Sequence, residues 1–135
     1  MVYAVIDTNI FVSSFITKNE TASTRKVINS MFNGQIKPLY NEEILNEYSE
    51  VLHRPKFHLS DTDIAWLLNF IRQNGIDSER FPYGGDMPDE DDRVFYEVAL
   101  SEEDSFLVTG NLKHFPKTPK VVTAAQMIEI LERDF

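Results

Sequence analysis

Short apolar runs alternate along this chain with longer stretches in which apolar residues recur every three or four positions. The run Val2–Ile6 is rich in β-branched residues and stops at polar ones, which is typical of a buried parallel strand. Similar short runs at 36–39, 105–109 and 121–122 predict three more strands. Because helical patterns separate the runs, the sequence predicts an α/β sandwich with a central, mainly parallel sheet flanked by helices.

Polar residues mark where each predicted helix begins. The first helix covers 10–16, and the second covers 21–32, where Asn33-Gly34 ends it. The residues predicted to cap the helices are, in chain order, Asp7 with Thr8 and Asn9, then Asn41, Asp61, Asp92 and Thr123. The helix that starts at Asp61 is apolar on nearly all sides, which is typical of a buried helix or of a dimer interface.

The composition predicts a single folded domain over residues 1–135. With 42% hydrophobic and 26% charged residues, the chain is not of the disordered class. The absence of cysteine excludes a disulfide scaffold, a thiolate zinc site and a cysteine nucleophile, and it fits a reducing cytoplasm. No apolar run approaches the length of a membrane span, so we expect a cytoplasmic protein with no membrane contact.

The charge of the chain is strongly negative. Lys and Arg total 13 against 22 Asp and Glu, a formal net charge of −9. That balance argues against a protein that grips duplex DNA through a basic face. Five of the acids fall within 86–92, where either a solvated loop or a bound divalent cation would account for them.

Several polar residues follow predicted strands and should meet at one edge of the sheet, beyond the carboxyl ends of the strands. Asp7 follows the first strand, Thr109 and Asn111 follow a later one, and Asp92 begins the helix that leads into it. Glu47 lies near the apolar side of its own helix, where it either reaches solvent or serves a site. Carboxylate and amide oxygens suit Mg²⁺ or Mn²⁺. The candidate metal ligands are Asp7, Glu47, Asp91, Asp92 and Asn111.

Four short blocks carry a resemblance to a known family. They are the opening strand with Asp7-Thr8-Asn9, residues 47–52 with 54–57, residues 89–95, and residues 107–115. In this order and spacing the chain resembles a PIN domain, in the branch of toxin components of bacterial and archaeal toxin–antitoxin pairs. The resemblance covers nearly the whole chain.

The resemblance implies a metal-dependent nuclease, most often an endoribonuclease, that hydrolyses a phosphodiester with Mg²⁺ or Mn²⁺. Carried over, Asp7, Glu47 and Asp92 match the three core acids and are the expected catalytic residues, with Asp91 as the alternative for the third. Asn111 stands where the family usually has Asp, and its amide brings no charge. The candidates for positioning the ligands or the substrate are Thr8, Asn9, Ser13, Thr109, Arg54 and Lys113.

The resemblance also implies an RNA substrate, a cognate antitoxin and a homodimer. Two alternatives remain open: a PIN-like module that binds RNA or protein without cutting, and a nuclease for single-stranded or flap DNA. A phosphatase of the haloacid dehalogenase type is disfavoured, because that chemistry needs a second Asp two residues after the first and Asn9 stands there. His114 is more typical of a structural residue than of a catalytic one.

Overall fold

The central sheet consists of five strands in the order β3-β2-β1-β4-β5. Every neighbouring pair is parallel in the computed structural model, which describes residues 1–134. The strands are β1 Val2–Ile6, β2 Ile36–Tyr40, β3 Ile76–Asp77, β4 Phe106–Val108 and β5 Val121–Val122. The predicted sheet is therefore confirmed, although β3 was not predicted because two residues are too few to give a pattern. Phe135, the last residue of the predicted domain, lies outside the described residues.

Helices flank this sheet and complete an α/β/α arrangement. The helices are α1 Thr8–Ile16, α2 Ser23–Phe32, α3 Glu42–Leu52, α4 Asp61–Asn74, α5 Arg93–Leu100 and α6 Ala124–Asp134. Short 3₁₀ helices cover Pro55–Phe57, Glu90–Asp92 and Leu112–His114. Among residues 1–134, none of the helices is long and apolar enough to cross a membrane.

Two of the predicted helix caps are formed as expected. The Oδ1 of Asn41 accepts a hydrogen bond from the Ile44 backbone N–H at 2.9 Å, which starts α3. At the start of α6, the Thr123 hydroxyl accepts from the Gln126 N–H at 3.1 Å, and Gln126 Oε1 accepts from the Thr123 N–H at 2.9 Å. This reciprocal pair is a capping box.

Asp92 is the N-cap residue of α5, as predicted, but three other predicted starts need correction. Ser60, rather than Asp61, caps α4 by accepting from the Asp63 N–H at 3.1 Å. Helix α2 begins at Ser23 instead of Thr21, because the N–H and hydroxyl of Thr21 both bond the Asn19 side chain in a local turn. Helix α1 begins at Thr8, two residues earlier than predicted. Helix α4 is not buried all round, since Trp66 on it is 57% exposed.

The path of the chain creates a crevice at the carboxyl ends of β1 and β4. From β1 the chain adds β2 and β3 on one side of the sheet, and then crosses to add β4 and β5 on the other. In the register of the two central strands, Ile6 lies opposite Val108. Parallel sheets bind ligands at such a switch point, so the residues that directly follow these two strands line the expected ligand site.

Candidate active site

Asp7 and Thr109 meet at the centre of this crevice. Asp7 directly follows β1, and its backbone N–H donates to the Val108 carbonyl at 2.9 Å, which extends the strand pairing by one residue. Thr109 directly follows β4, and its hydroxyl donates to Asp7 Oδ2 at 2.7 Å. Both side chains are buried. The register of β1 and β4 therefore brings together two polar residues that are 102 positions apart.

Asp7 also occupies the N-cap position of α1, but its side chain makes no cap hydrogen bond to that helix. Burial raises the pKa of the Asp7 carboxyl, while Thr109, the backbone N–H groups of Asn9 and Thr8, and nearby His114 act to lower it. Asp7 is therefore the N-cap residue of α1, as predicted, although its side chain forms no cap hydrogen bond. Asp7 holds a buried carboxylate at the positive end of a helix dipole instead.

Glu47 reaches the same crevice from α3. Its Oε2 accepts a hydrogen bond of 2.5 Å from the Thr8 hydroxyl, on the residue after Asp7. The next residue, Tyr48, is buried and donates to the Ile6 carbonyl at 2.5 Å. Two successive residues of α3 are therefore bonded to the end of β1 and the start of α1. These bonds fix Glu47 beside Asp7.

Asp92 completes a group of three acids. It ends the 3₁₀ helix that leads into α5, and it is half-buried, whereas Asp91 is exposed. Burial, together with the charges of Asp7 and Asp89, raises the pKa of Asp92 to about 6, and Glu47 adds to the rise. Nearby His114 acts in the opposite direction.

Glu47 experiences the same repulsion. Burial is the largest cause that raises the pKa of its carboxyl, and the charges of Asp7, Asp91 and Glu50 raise it further, against the Thr8 hydrogen bond. Both candidates for the third acid are therefore close to the other acids: the charge of Asp91 raises the pKa of Glu47, and the charges of Asp7 and Glu47 raise the pKa of Asp92. The half-buried position makes Asp92 the better candidate.

Asn111 and His114 face the acids from the segment after β4. His114 Nδ1 lies 3.5 Å from Asp92 Oδ2, and its Nε2 lies 3.0 Å from Asn111 Nδ2. Asn111 Oδ1 accepts from the Lys113 N–H at 3.2 Å, so the amide oxygen serves the local turn while the amide nitrogen faces His114. Asn111 thus orients a histidine toward Asp92 rather than pointing its oxygen at the acids.

Of the four remaining residues predicted to position ligands or substrate, two lie at the rim of the crevice and two lie away from the acids. Asn9 and Lys113 are exposed at the rim of the crevice, beside Thr8 and Asn111 respectively. Ser13 is exposed on α1, more than one turn beyond Thr8. Arg54 follows the end of α3 and pairs with Glu50 at 3.8 Å, and no hydrogen bond or ion pair among residues 1–134 joins it to the three acids.

The acids suit a divalent cation by their chemistry. They offer only hard oxygen donors, and no Lys or Arg within residues 1–134 forms an ion pair with Asp7, Glu47 or Asp92. The described residues hold no group of three Asp, Glu or His side chains already set at ligand distances. The donor type and the mutual repulsion therefore fit Mg²⁺ or Mn²⁺, while closing the set around a cation requires side-chain movement.

Comparison with known proteins identifies the family. A family model described as PIN domain matches residues 3–113, so the chain belongs to the PIN domain family. PIN domains are generally metal-dependent nucleases. None of the curated proteins compared with the chain matches it. The matched range contains all the acids described above.

The buried Glu97 and its partners support the site, and the sequence analysis did not predict them. Glu97, on the buried side of α5, accepts from Arg80 Nε at 2.7 Å and from the Tyr83 backbone N–H at 2.8 Å. Although burial alone would raise it, these contacts hold the pKa of Glu97 below its ordinary value. Arg80 also pairs with Glu43 on α3 at 2.9 Å. The sequence signal that could have identified Glu97 is the position of this charged residue among the apolar positions of α5.

Proposed function

We propose that this protein is a Mg²⁺- or Mn²⁺-dependent endoribonuclease that acts as the toxin of a toxin–antitoxin pair. The observation that carries the proposal is the convergence of Asp7, Glu47 and Asp92 at the β1–β4 crevice. The charge of Asp7 raises the pKa of both Glu47 and Asp92, Glu47 also raises that of Asp92, and no Lys or Arg within residues 1–134 pairs with the three acids. A carboxylate group of this kind, in a PIN domain, is suited to holding a divalent cation against a phosphodiester.

The proposed site assigns each side chain a limited task. Asp7, Glu47 and Asp92 would hold the cation, which supplies positive charge to the phosphoryl oxygens and lowers the pKa of a bound water. Thr109 keeps Asp7 oriented, and Thr8 keeps Glu47 oriented. Fixing the ligands before the substrate arrives reduces the reorganisation that catalysis requires.

The RNA preference and the toxin role rest on the resemblance of the four blocks. Nothing in the carboxylate group distinguishes an RNA backbone from a DNA backbone. A cognate antitoxin, a homodimer and action on cytoplasmic RNA belong to the same proposal. Light scattering on the purified chain tests the dimer, and co-purification with the product of an adjacent reading frame tests the antitoxin.

A cleavage assay tests the proposal. Labelled structured RNA and single-stranded DNA of the same sequence are incubated with the protein in Mg²⁺, in Mn²⁺ and in chelator. We expect metal-dependent cleavage of RNA that the double variant Asp7→Asn with Asp92→Asn abolishes. The matched control is Glu103→Gln with Asp104→Asn, which neutralises two exposed acids just before β4, at the opposite edge of the sheet.

Either substrate can contradict part of the proposal. Cleavage of DNA alone would favour the single-strand DNA nuclease. If neither metal supports cleavage while RNA binding is equal in the wild type and the double variant, the protein is a PIN-like binding module.

A further inference from the structure

An apolar recess lies beside the acids, on the segment that follows β4. Its volume is about 280 Å³, and Leu112, Phe115 and Pro116 form much of its wall. Lys113 and Lys117 stand at its rim, and both are exposed. We call this recess the lysine shelf. Leu112 is 42% exposed, so the shelf presents apolar surface to solvent.

One segment of the chain, residues 109–117, forms part of the lysine shelf and part of the candidate active site. The 3₁₀ helix Leu112–His114 supplies part of the shelf wall, and it ends at His114, whose ring lies 3.5 Å from Asp92. The same segment starts at Thr109, which bonds Asp7. A molecule bound on the shelf would therefore lie against the same segment whose Thr109 bonds Asp7 and whose His114 faces Asp92.

Lys113 and Lys117 are the two basic residues that line this recess, and among residues 1–134 both have an unpaired ammonium group, as Lys18 and Lys37 also have. Arg54, Arg72, Arg80 and Arg93 each form an ion pair with a Glu. The ammonium of Lys120 donates to backbone carbonyls. Within residues 1–134, the ammonium groups of Lys113 and Lys117 form no ion pair and no hydrogen bond. Their charge remains available to a ligand.

We propose that the lysine shelf binds one unpaired nucleotide of the substrate, adjacent to the phosphodiester that is cut. This inference rests on the proposed nuclease function. The base lies against Leu112 and Pro116, and the phosphates on either side of it are held by Lys113 and Lys117. Positive charge beside a groove holds a single strand by its backbone, and the apolar surface of the shelf gives the exposed face of an unpaired base a place to pack. A base stacked within a duplex has no free face for the shelf, so unpaired positions are selected.

Lys113 and Lys117 also reduce the repulsion between this acidic chain and a nucleic acid. A protein of net charge −9 repels nucleic acid at a distance, and its acidic site repels a phosphate at contact range. Two unpaired lysines beside the acids offset that repulsion where the strand must enter.

The phosphate contacts are tested by binding. Fluorescence anisotropy measures the affinity of a short single-stranded RNA in an Asp7→Asn background, which disables the proposed chemistry, over a range of salt. Lys113→Ala with Lys117→Ala is compared with Lys18→Ala and Lys37→Ala, which remove equal charge. Lys18 follows the far end of α1, and Lys37 lies near the amino end of β2. We expect the shelf variant to lower the slope of log affinity against log salt by about 1.4, at about 0.7 per lost contact to a single strand, and the control variant to leave it unchanged. Equal slopes in the two variants would overturn the proposal.

The base contact is tested with abasic nucleotides placed at successive positions of the same RNA. We expect one position at which the abasic site weakens binding about five-fold or more, and we expect Leu112→Ala to abolish that sensitivity. A thermal melt confirms that the Leu112→Ala protein is folded. Equal sensitivity in both proteins at every position would overturn the base contact.

The two proposals fail in different ways. RNA cleavage by the wild type, together with lysine-independent binding, would overturn the lysine shelf and leave the nuclease standing. Absence of cleavage in both metals, together with lysine-dependent binding, would overturn the nuclease and support a nucleotide-binding shelf.

Discussion

The hydroxyl of Thr8 donates a hydrogen bond to the carboxylate of Glu47, and so joins the first residue of α1 to the middle of α3 across 39 positions of sequence. The neighbouring bond from Tyr48 to the Ile6 carbonyl fixes the same helix to the end of β1. Asp7 lies between the two attachment points. These two hydrogen bonds therefore set the distance between the proposed metal ligands Asp7 and Glu47. The donors are the Thr8 and Tyr48 hydroxyls.

Removing the Thr8 hydroxyl should loosen Glu47. In Thr8→Val we expect Mn²⁺ to bind about 10- to 100-fold more weakly, the usual effect of losing a hydrogen bond that orients a metal ligand. Thr8→Ser keeps the hydroxyl and should retain most of the affinity. Calorimetric titration of Mn²⁺ into the protein without RNA measures this directly. Equal affinities in Thr8→Val and the wild type would show that the bond does not position Glu47.

The Thr109 hydroxyl should stabilise the fold itself. It bonds a buried carboxylate, so Thr109→Val leaves Asp7 short of its only side-chain hydrogen-bond donor among residues 1–134. We expect the free energy of unfolding in chelator at neutral pH to fall by about 1–3 kcal/mol. Urea denaturation measures the change, and Thr109→Ser should restore the wild-type value. In an Asp7→Asn background the same Thr109→Val change should cost less, because no buried charge remains.

The acids should make the metal-free protein less stable as pH rises. The pKa of Asp92 is raised to about 6 in the folded state, chiefly by burial, against roughly 4 for an unfolded Asp. The folded protein therefore binds the proton more tightly than the unfolded chain does between these values. Asp92 lowers the free energy of unfolding progressively as pH rises from about 4 to about 6, and the effect then levels off.

The comparison with Asp92→Asn isolates this contribution. Urea denaturation in chelator at several pH values should show the wild type losing stability relative to the variant across that interval. Saturating Mg²⁺ at neutral pH should then stabilise the wild type much more than the variant, by mass action on the folded state. A constant difference between the two proteins at every pH would contradict the repulsion inferred at the site.

The loop before the acidic segment depends on Glu97. Its carboxylate is nearly buried and holds both Arg80 and the Tyr83 N–H, so Glu97→Gln should destabilise the protein by about 1–3 kcal/mol. It should also speed limited proteolysis within residues 78–89. Glu43→Gln is the matched control, because Glu43 bonds the same Arg80 from an exposed position. Equal effects of the two substitutions would show that burial of Glu97 does not matter.

Much of the fold follows from the hydrophobic pattern. Val2–Ile6 forms β1 as predicted, because β-branched apolar residues favour a strand that is buried on both faces. The meeting of Asp7 and Thr109 also follows, since each directly ends a central parallel strand. The strand β3 does not follow, because its two residues pair with β2 only once α4 has placed them there.

The finer geometry of the site depends on contacts that no local pattern encodes. The approach of Glu47 depends on the orientation of α3, which the buried Tyr48 hydroxyl fixes from within the core. The amide of Asn111 turns toward His114 because the Lys113 N–H uses its oxygen. Hydrogen bonds between distant or irregular segments set the positions of both side chains, and the spacing of apolar residues along the sequence does not predict such bonds.

A joint titration of metal binding and RNA cleavage tests the central claim most directly. Mn²⁺ is titrated into the wild type while its binding is followed by calorimetry and the cleavage rate of labelled RNA is measured at the same concentrations. We predict that binding and cleavage half-saturate at the same Mn²⁺ concentration, and that Asp7→Asn with Asp92→Asn loses both while Glu103→Gln with Asp104→Asn keeps both. Unchanged Mn²⁺ binding in the Asp7 and Asp92 variant, or RNA cleavage that persists in chelator, would contradict the claim that these carboxylates form the catalytic metal site.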